Sequence, residues 1–161
     1  MTTLARYRST GILIDTNILL LLIVGSYKRE LVGRHKRTIP FLPRDYDLLV
    51  RVVGGFEKIL TTHAIMCEVS NLASQIADPD RTGILATLRA FVGAVQEHTI
   101  SSNDACRCES FLKIGITDSG ILELAKTDIP VLTDDGVLAN FIQASGATAF
   151  NFHHLRQSDE G

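Results

Sequence analysis

At 161 residues, with 45% apolar and 21% charged side chains and a formal net charge of −2, the chain has ordinary globular composition. Typical domains run to about 100–200 residues, and one of this length buries about 68–70% of its unfolded surface, so a single domain with its own core is expected. These figures exclude disorder, collagen, a coiled coil and a uniformly basic nucleic-acid binder; Cys67, Cys106 and Cys108 offer neither a complete disulfide set nor zinc-finger spacing, which points to reduced thiols in a cytoplasmic protein.

Arg6 and Arg8 precede an apolar stretch that ends near Val24, but Asp15 and Asn17 interrupt it. A membrane span needs about 20 apolar residues, so no membrane partner is expected. The stretch reads instead as a buried strand over 11–14 that turns through Asp15-Thr16-Asn17 into an apolar helix ending near Gly25. Gly33, Pro40 and Pro43 break residues 25–45 into loop and partial helix. Residues 45–53 are amphipathic, with Leu48, Leu49, Val52 and Val53 on one side.

Thr61 or Thr62 caps a helix reaching Ile76, with Ile65, Val69, Leu72 and Ile76 as its stripe. A second helix covers 82–95, with Ile84, Leu85, Leu88, Val92 and Val95 at helical spacing. A short strand is expected over 98–100 and a helix over 103–113, stopped by Gly115. Thr117 then caps a short helix over 118–126. Residues 129–133 form a strand, 136–144 a helix ending at Gly146, and 147–152 a last strand, followed by a frayed polar tail after Leu155. Strands alternating with helices imply a parallel sheet covered on both faces, an α/β class.

Charge is unevenly spread. The first 60 residues carry ten basic and five acidic side chains, the remainder six basic and thirteen acidic. Lys28, Arg29, Arg34, Lys36, Arg37, Arg44 and Arg51 concentrate the positive charge, and the first five could track phosphates, although a solvated helix face is the simpler reading of the cluster alone.

Two acidic positions directly follow two expected parallel strands: Asp15 after the first, Asp134 and Asp135 after 129–133. In open α/β sheets ligands bind at the carboxyl ends of the strands, so both fall on the functional edge. Each alone serves equally well as a helix cap or turn residue. Glu68 lies about 40° from Leu72 around its helix, at the border of the apolar stripe. Asp118 is in a first helical turn, facing Ile121, Leu122 and Ala125. Four converging carboxylates repel unless a divalent cation sits among them, and hard oxygen ligands suit Mg²⁺ or Mn²⁺, which activate water for attack at phosphorus.

On Ile14-Asp15-Thr16-Asn17, Met66-Cys67-Glu68-Val69, Thr117-Asp118-Ser119 and Leu132-Thr133-Asp134-Asp135, the chain resembles the PIN-domain nucleases over about residues 11–152. The resemblance implies a three-layer α/β/α sandwich with a central, mostly parallel sheet. It implies cleavage of single-stranded or unpaired RNA by metal-activated water, leaving 5′-phosphate and 3′-hydroxyl ends. Asp15, Glu68, Asp118 and Asp135 would hold Mg²⁺ or Mn²⁺, with Asp134 in reserve for the fourth position. Asn17, Thr133 and Ser119 would orient these ligands or their waters. A homodimer and, among toxin members, an antitoxin or other protein partner are also implied. Residues 26–60 are longer than the short hairpin usual in small members, and would form a basic insertion for substrate or partner. Two rivals lack a residue: a haloacid-dehalogenase-like phosphatase wants Asp where Asn17 stands, and a response-regulator receiver wants a late Lys. The remaining alternative is a PIN-like module that binds RNA or protein without cutting.

Overall fold

Five short strands build the sheet: β1 (Ile12–Ile14), β2 (Ile59–Thr62), β3 (Gln96–His98), β4 (Val131–Thr133) and β5 (Ala149–Asn151). All pair in parallel, in the order β3-β2-β1-β4-β5. The structure is a computed structural model that describes residues 2–159. Ile12, Leu13 and Ile14 of β1 and Val131 and Leu132 of β4 are wholly buried, as central parallel strands covered on both faces must be. The helices are α1 (Thr2–Arg6), α2 (Thr16–Tyr27), α3 (Pro43–Val53), α4 (His63–Ala73), α5 (Asp80–Val92), α6 (Ser102–Cys106), α7 (Phe111–Ala125), α8 (Gly136–Ala144) and α9 (Phe152–Asp159). They flank the sheet in an α/β arrangement consistent with a PIN-like sandwich.

The strand order gives the chain a switch point. It enters at β1, winds outward through β2 to β3, then returns to β4 on the other side of β1 and leaves through β5. Right-handed crossovers wound in opposite directions place their helices on opposite faces. Accordingly α2 packs against α3, α4 and α5, whereas α7 packs against α6 and α8. The crevice at the carboxyl ends of β1 and β4 lies where the two halves diverge, the place where such sheets bind ligands.

Helix α2 is apolar on every side because every side is covered: residues 18 to 24 are all buried. None of the described helices is long and apolar enough to cross a membrane. The stretch after α2 is ordered despite its prolines. A 3₁₀ turn (Arg29–Leu31) leads into turns whose Leu31, Val32, His35, Thr38 and Phe41 are buried. The Arg37 backbone N–H donates to His35 Nδ1 at 3.2 Å, closing one of them.

Several sequence expectations need correction. β2 was not expected; Thr62 serves both as its last residue and as the cap of α4, accepting from the Ile65 N–H at 3.2 Å. β3 begins two residues earlier than expected, on Gln96-Glu97-His98. The helix expected over 103–113 is two pieces, α6 and the first turn of α7. Val92 is 48% exposed, because α5 ends there. The last strand is shorter than expected, since Phe152 already opens α9. The tail is helical rather than frayed, to Asp159; its last two positions lie outside the described residues. α9 is held by buried Phe152, by Arg156 on Asp45, and by Arg51 on Asp159 at 2.7 Å.

Candidate active site at the carboxyl edge of the sheet

Asp15 is the first residue beyond β1 and the N-cap of α2. Register places it beside Thr133, because Ile14 pairs with Leu132 and the Asp15 N–H donates to the Leu132 carbonyl at 3.0 Å. Asp15 is 5% exposed. Oδ1 accepts from the Thr16 N–H and Oδ2 from the Thr133 hydroxyl, each at 2.6 Å. Thr133 thus holds the Asp15 carboxylate by a hydrogen bond. The same Thr133 oxygen accepts from the Asp135 N–H at 2.9 Å, tying the β4 turn to the β1 carboxylate.

Glu68 is positioned by α4, whose rotation is fixed by buried Ile65 and Val69. Its Oε1 accepts from the Thr117 hydroxyl at 2.5 Å and its Oε2 from the Thr16 hydroxyl at 3.1 Å. The carboxylate therefore bridges the residue after Asp15 and the residue before Asp118. These two threonines were missed as positioning residues by the sequence reading, which gave Thr117 a capping role. No local pattern marks either one; only their adjacency to Asp15 and Asp118 would have drawn attention.

Asp118 reaches the site because α7 is kinked. Gly115 has φ 78° and ψ −175°, a region essentially closed to other residues, and nothing lies within 4 Å of where a Cβ would stand. The helix restarts after it with Thr117 turned to Glu68. Asp118 accepts no hydrogen bond from any described residue. Ser119 is wholly buried and its hydroxyl has no partner among the described residues, so it orients none of the carboxylates by hydrogen bonding.

After β4, Asp135 caps α8, its Oδ1 accepting from the N–H groups of Val137 at 2.7 Å and Leu138 at 3.1 Å. Asp134 is part-buried, with Asn17 Nδ2 at 3.5 Å from its Oδ1. The charges of Asp134 and Asp135 both raise Asp15, that of Asp134 the more, and Asp135 also raises Asp118.

The cluster strains against its own charge. Burial pushes the Asp15 carboxyl up to about 6, against the pull of its two donors and with further upward pressure from Asp134 and Asp135. Burial likewise pushes Asp118 up to about 7, aided by Asp15, Asp135 and Glu68. Asp134 is also raised, chiefly by burial. Such a group is short of positive charge. Among the described residues no set of three or more His, Cys, Asp or Glu side chains stands in an arrangement that could hold a metal ion. The donor set still fits Mg²⁺ or Mn²⁺, since all its atoms are hard oxygens and Mg²⁺ commonly uses one or two carboxylates, its own waters and substrate phosphate.

The basic segment divides. Lys28 is taken by Asp80 at 3.3 Å, and Arg29 by both oxygens of Asp47 at 2.9 and 2.6 Å. Arg34 and Lys36 are exposed and without a bonded partner among the described residues. Arg37 Nε donates to Gln75 Oε1 at 2.9 Å. Gln75 lies just beyond the end of α4, the helix that carries Glu68, so Arg37 is tied to the chain where that helix stops. His63, His153 and His154 are exposed, His98 is half-buried on the edge strand β3 and His35 is buried in the turns after α2; the charges that raise Asp15 and Asp118 are all those of carboxylates. Compared with protein-family models, curated proteins and solved structures, the chain matches none.

Proposed function

We propose that this protein is a PIN-like, divalent-metal-dependent endoribonuclease that cleaves single-stranded or unpaired RNA and leaves 5′-phosphate and 3′-hydroxyl ends. The observation that carries the reading is that Asp15, Glu68 and Asp135, from distant chain positions at the carboxyl edge of the sheet, lie near enough for their charges to raise Asp118. Two of the four are held well above the usual carboxylate range. Burying unneutralised carboxylates costs stability unless the site works on a cationic centre.

Asp15, Glu68, Asp118 and Asp135 would hold Mg²⁺ or Mn²⁺, which when bound supplies charge neutralisation at the scissile phosphate and lowers the pKa of a water. The residues divide the remaining work. Thr133 and the Thr16 N–H fix Asp15 so that it cannot swing out toward solvent. Thr16 and Thr117 fix Glu68 through both oxygens, so it acts as a rigid wall of the site. Asp118, whose oxygens have no donor among the described residues, is the group free to orient the attacking water and receive its proton. Arg34, Lys36 and Arg37 hold backbone phosphates away from the cleaved bond. The second reading, an RNA-binding module that does not cut, draws support from the absence, among the described residues, of three acidic, His or Cys side chains arranged to hold a metal ion.

Incubation of the protein with unstructured RNA in Mg²⁺, and separately Mn²⁺, distinguishes them. The nuclease reading expects fragments whose 5′ ends are substrates for a 5′-monophosphate-dependent exonuclease, and none in EDTA. RNA retarded on a gel but uncut in both metals would leave the binding module.

A further inference from the structure

Asp45 is a buried carboxylate that the proposed chemistry does not use. It is 3% exposed, on the first turn of α3, and its Oδ2 closes that turn by accepting from the Leu42 N–H at 2.7 Å. Its Oδ1 accepts from Arg156 Nε at 2.9 Å. The Arg156 side chain is 23% exposed and its guanidinium carbon lies 5.7 Å from the Phe41 ring centroid. Phe41 in turn packs on Phe152, the first residue of α9, at 6.3 Å. The guanidinium is thus held by an acid and a ring that are themselves buried.

Its place in the fold is the site's border. Thr133 pairs with Asn151, so the start of α9 stands level with Asp134, and Arg156 follows one turn on. The charge of Arg156 is felt at Asp134 without an ion pair forming between them. Only Nε has an acceptor; the two terminal nitrogens have none among the described residues. A fork locked at Nε and free at its terminal nitrogens matches the geometry of phosphate recognition. Stability alone explains it poorly, since a buried ion pair is often no better than apolar packing.

We propose that Arg156 is a phosphate-positioning residue of this site, held by Asp45 and Phe41 to meet a non-bridging oxygen of an RNA phosphate bound beside the carboxylates. The assignment rests on the RNA reading above. It makes Arg156 the cation that the site supplies from its own wall, while Arg34, Lys36 and Arg37 serve more distant phosphates.

The test measures binding of a short fluorescent single-stranded RNA in EDTA as a function of salt, and cleavage in Mg²⁺, for the native chain, Arg156→Gln and Arg156→Lys. Loss of one phosphate contact lowers the slope of log K against log salt by about 0.7. Arg156→Gln is expected to show that drop and about tenfold lower kcat/KM, carried by KM. Arg156→Lys should keep the native slope, because the charge remains, but raise KM about threefold, because the fork is lost. A merely structural arginine would change thermal stability and leave slope and KM alone, and that result in folded Arg156→Gln overturns the proposal. If Arg156→Gln does not fold, native KM in Arg156→Lys overturns it equally. RNA that is bound but never cut, with the slope still falling in Arg156→Gln, supports Arg156 while the nuclease reading fails. A native chain that binds no RNA removes both.

Discussion

Asp118→Asn is expected to stabilise the metal-free protein while abolishing its activity. Asp118 accepts no hydrogen bond from the described residues, so the amide forfeits no bond. What disappears is a charge that burial and the neighbouring Asp15, Asp135 and Glu68 disfavour, enough to raise its carboxyl from 3.8 to about 7. Because the folded value lies above the unfolded one, folding favours the protonated acid. The penalty is absent below about pH 4, grows as pH rises, and is complete above about 7. Each tenfold change in proton affinity is about 1.4 kcal/mol, giving an upper bound of about 4 kcal/mol. Asp118 is only part-buried and solvent screens its repulsions, which leaves about 1–2 kcal/mol. For a chain of this size that is about 3–6 °C in Tm. Thermal melts in EDTA should show the variant above the native protein by that margin at pH 8 and level with it at pH 4. Saturating Mg²⁺ should close the gap by stabilising the native chain, about 2.7 kcal/mol at a hundredfold excess over Kd. A variant less stable than native at pH 8, or equally more stable at both pH values, would refute the argument that these charges repel unneutralised.

Thr117→Val removes the donor to Glu68 Oε1 and should reduce kcat/KM about 10–100-fold, the usual cost of losing a group that orients a ligand, with Tm changed little; steady-state cleavage kinetics and a melt check both halves. Gly115→Ala forces a side chain into a backbone region that costs about 1–3 kcal/mol, and, since space is open there, the strain alone should appear as lower Tm together with weakened cleavage, because the kink that delivers Asp118 relaxes. Asp45→Ala leaves Arg156 without its partner and α3 without its first-turn acceptor; breaking such a pair costs about 3 kcal/mol or more, measurable as a lower urea midpoint at unchanged slope.

The parts legible in the sequence were those where burial writes itself into a short apolar run. β1 and β4 are such runs, each followed by aspartate, so Asp15 and the Asp134–Asp135 pair could be placed on the ligand-binding edge. Glu68 could be placed at the border of a helical stripe. Its partners could not, because the Thr16 and Thr117 hydroxyls reach it across 52 and 49 residues. β2 was hidden because its two threonines look like helix caps, and one of them is. β3 was hidden because Gln96-Glu97-His98 forms an edge strand, largely exposed and without an apolar signal. Arg156 was one polar residue in a polar tail, and its meaning comes from Asp45, 111 positions earlier. Lys28 and Arg29 of the expected basic surface proved to be spent: an ion pair with Asp80 or Asp47 leaves no trace in composition.

The central claim is that Asp15 serves a hydrolytic centre rather than merely capping α2. Native protein and Asp15→Asn, purified in parallel and shown by circular dichroism to be folded alike, should be compared on the same unstructured RNA in Mn²⁺. We expect the native chain to cut and the variant to lose at least a thousandfold in rate, since the amide retains the capping oxygen and loses the charge. Equal cutting by both would place the activity elsewhere and contradict the account.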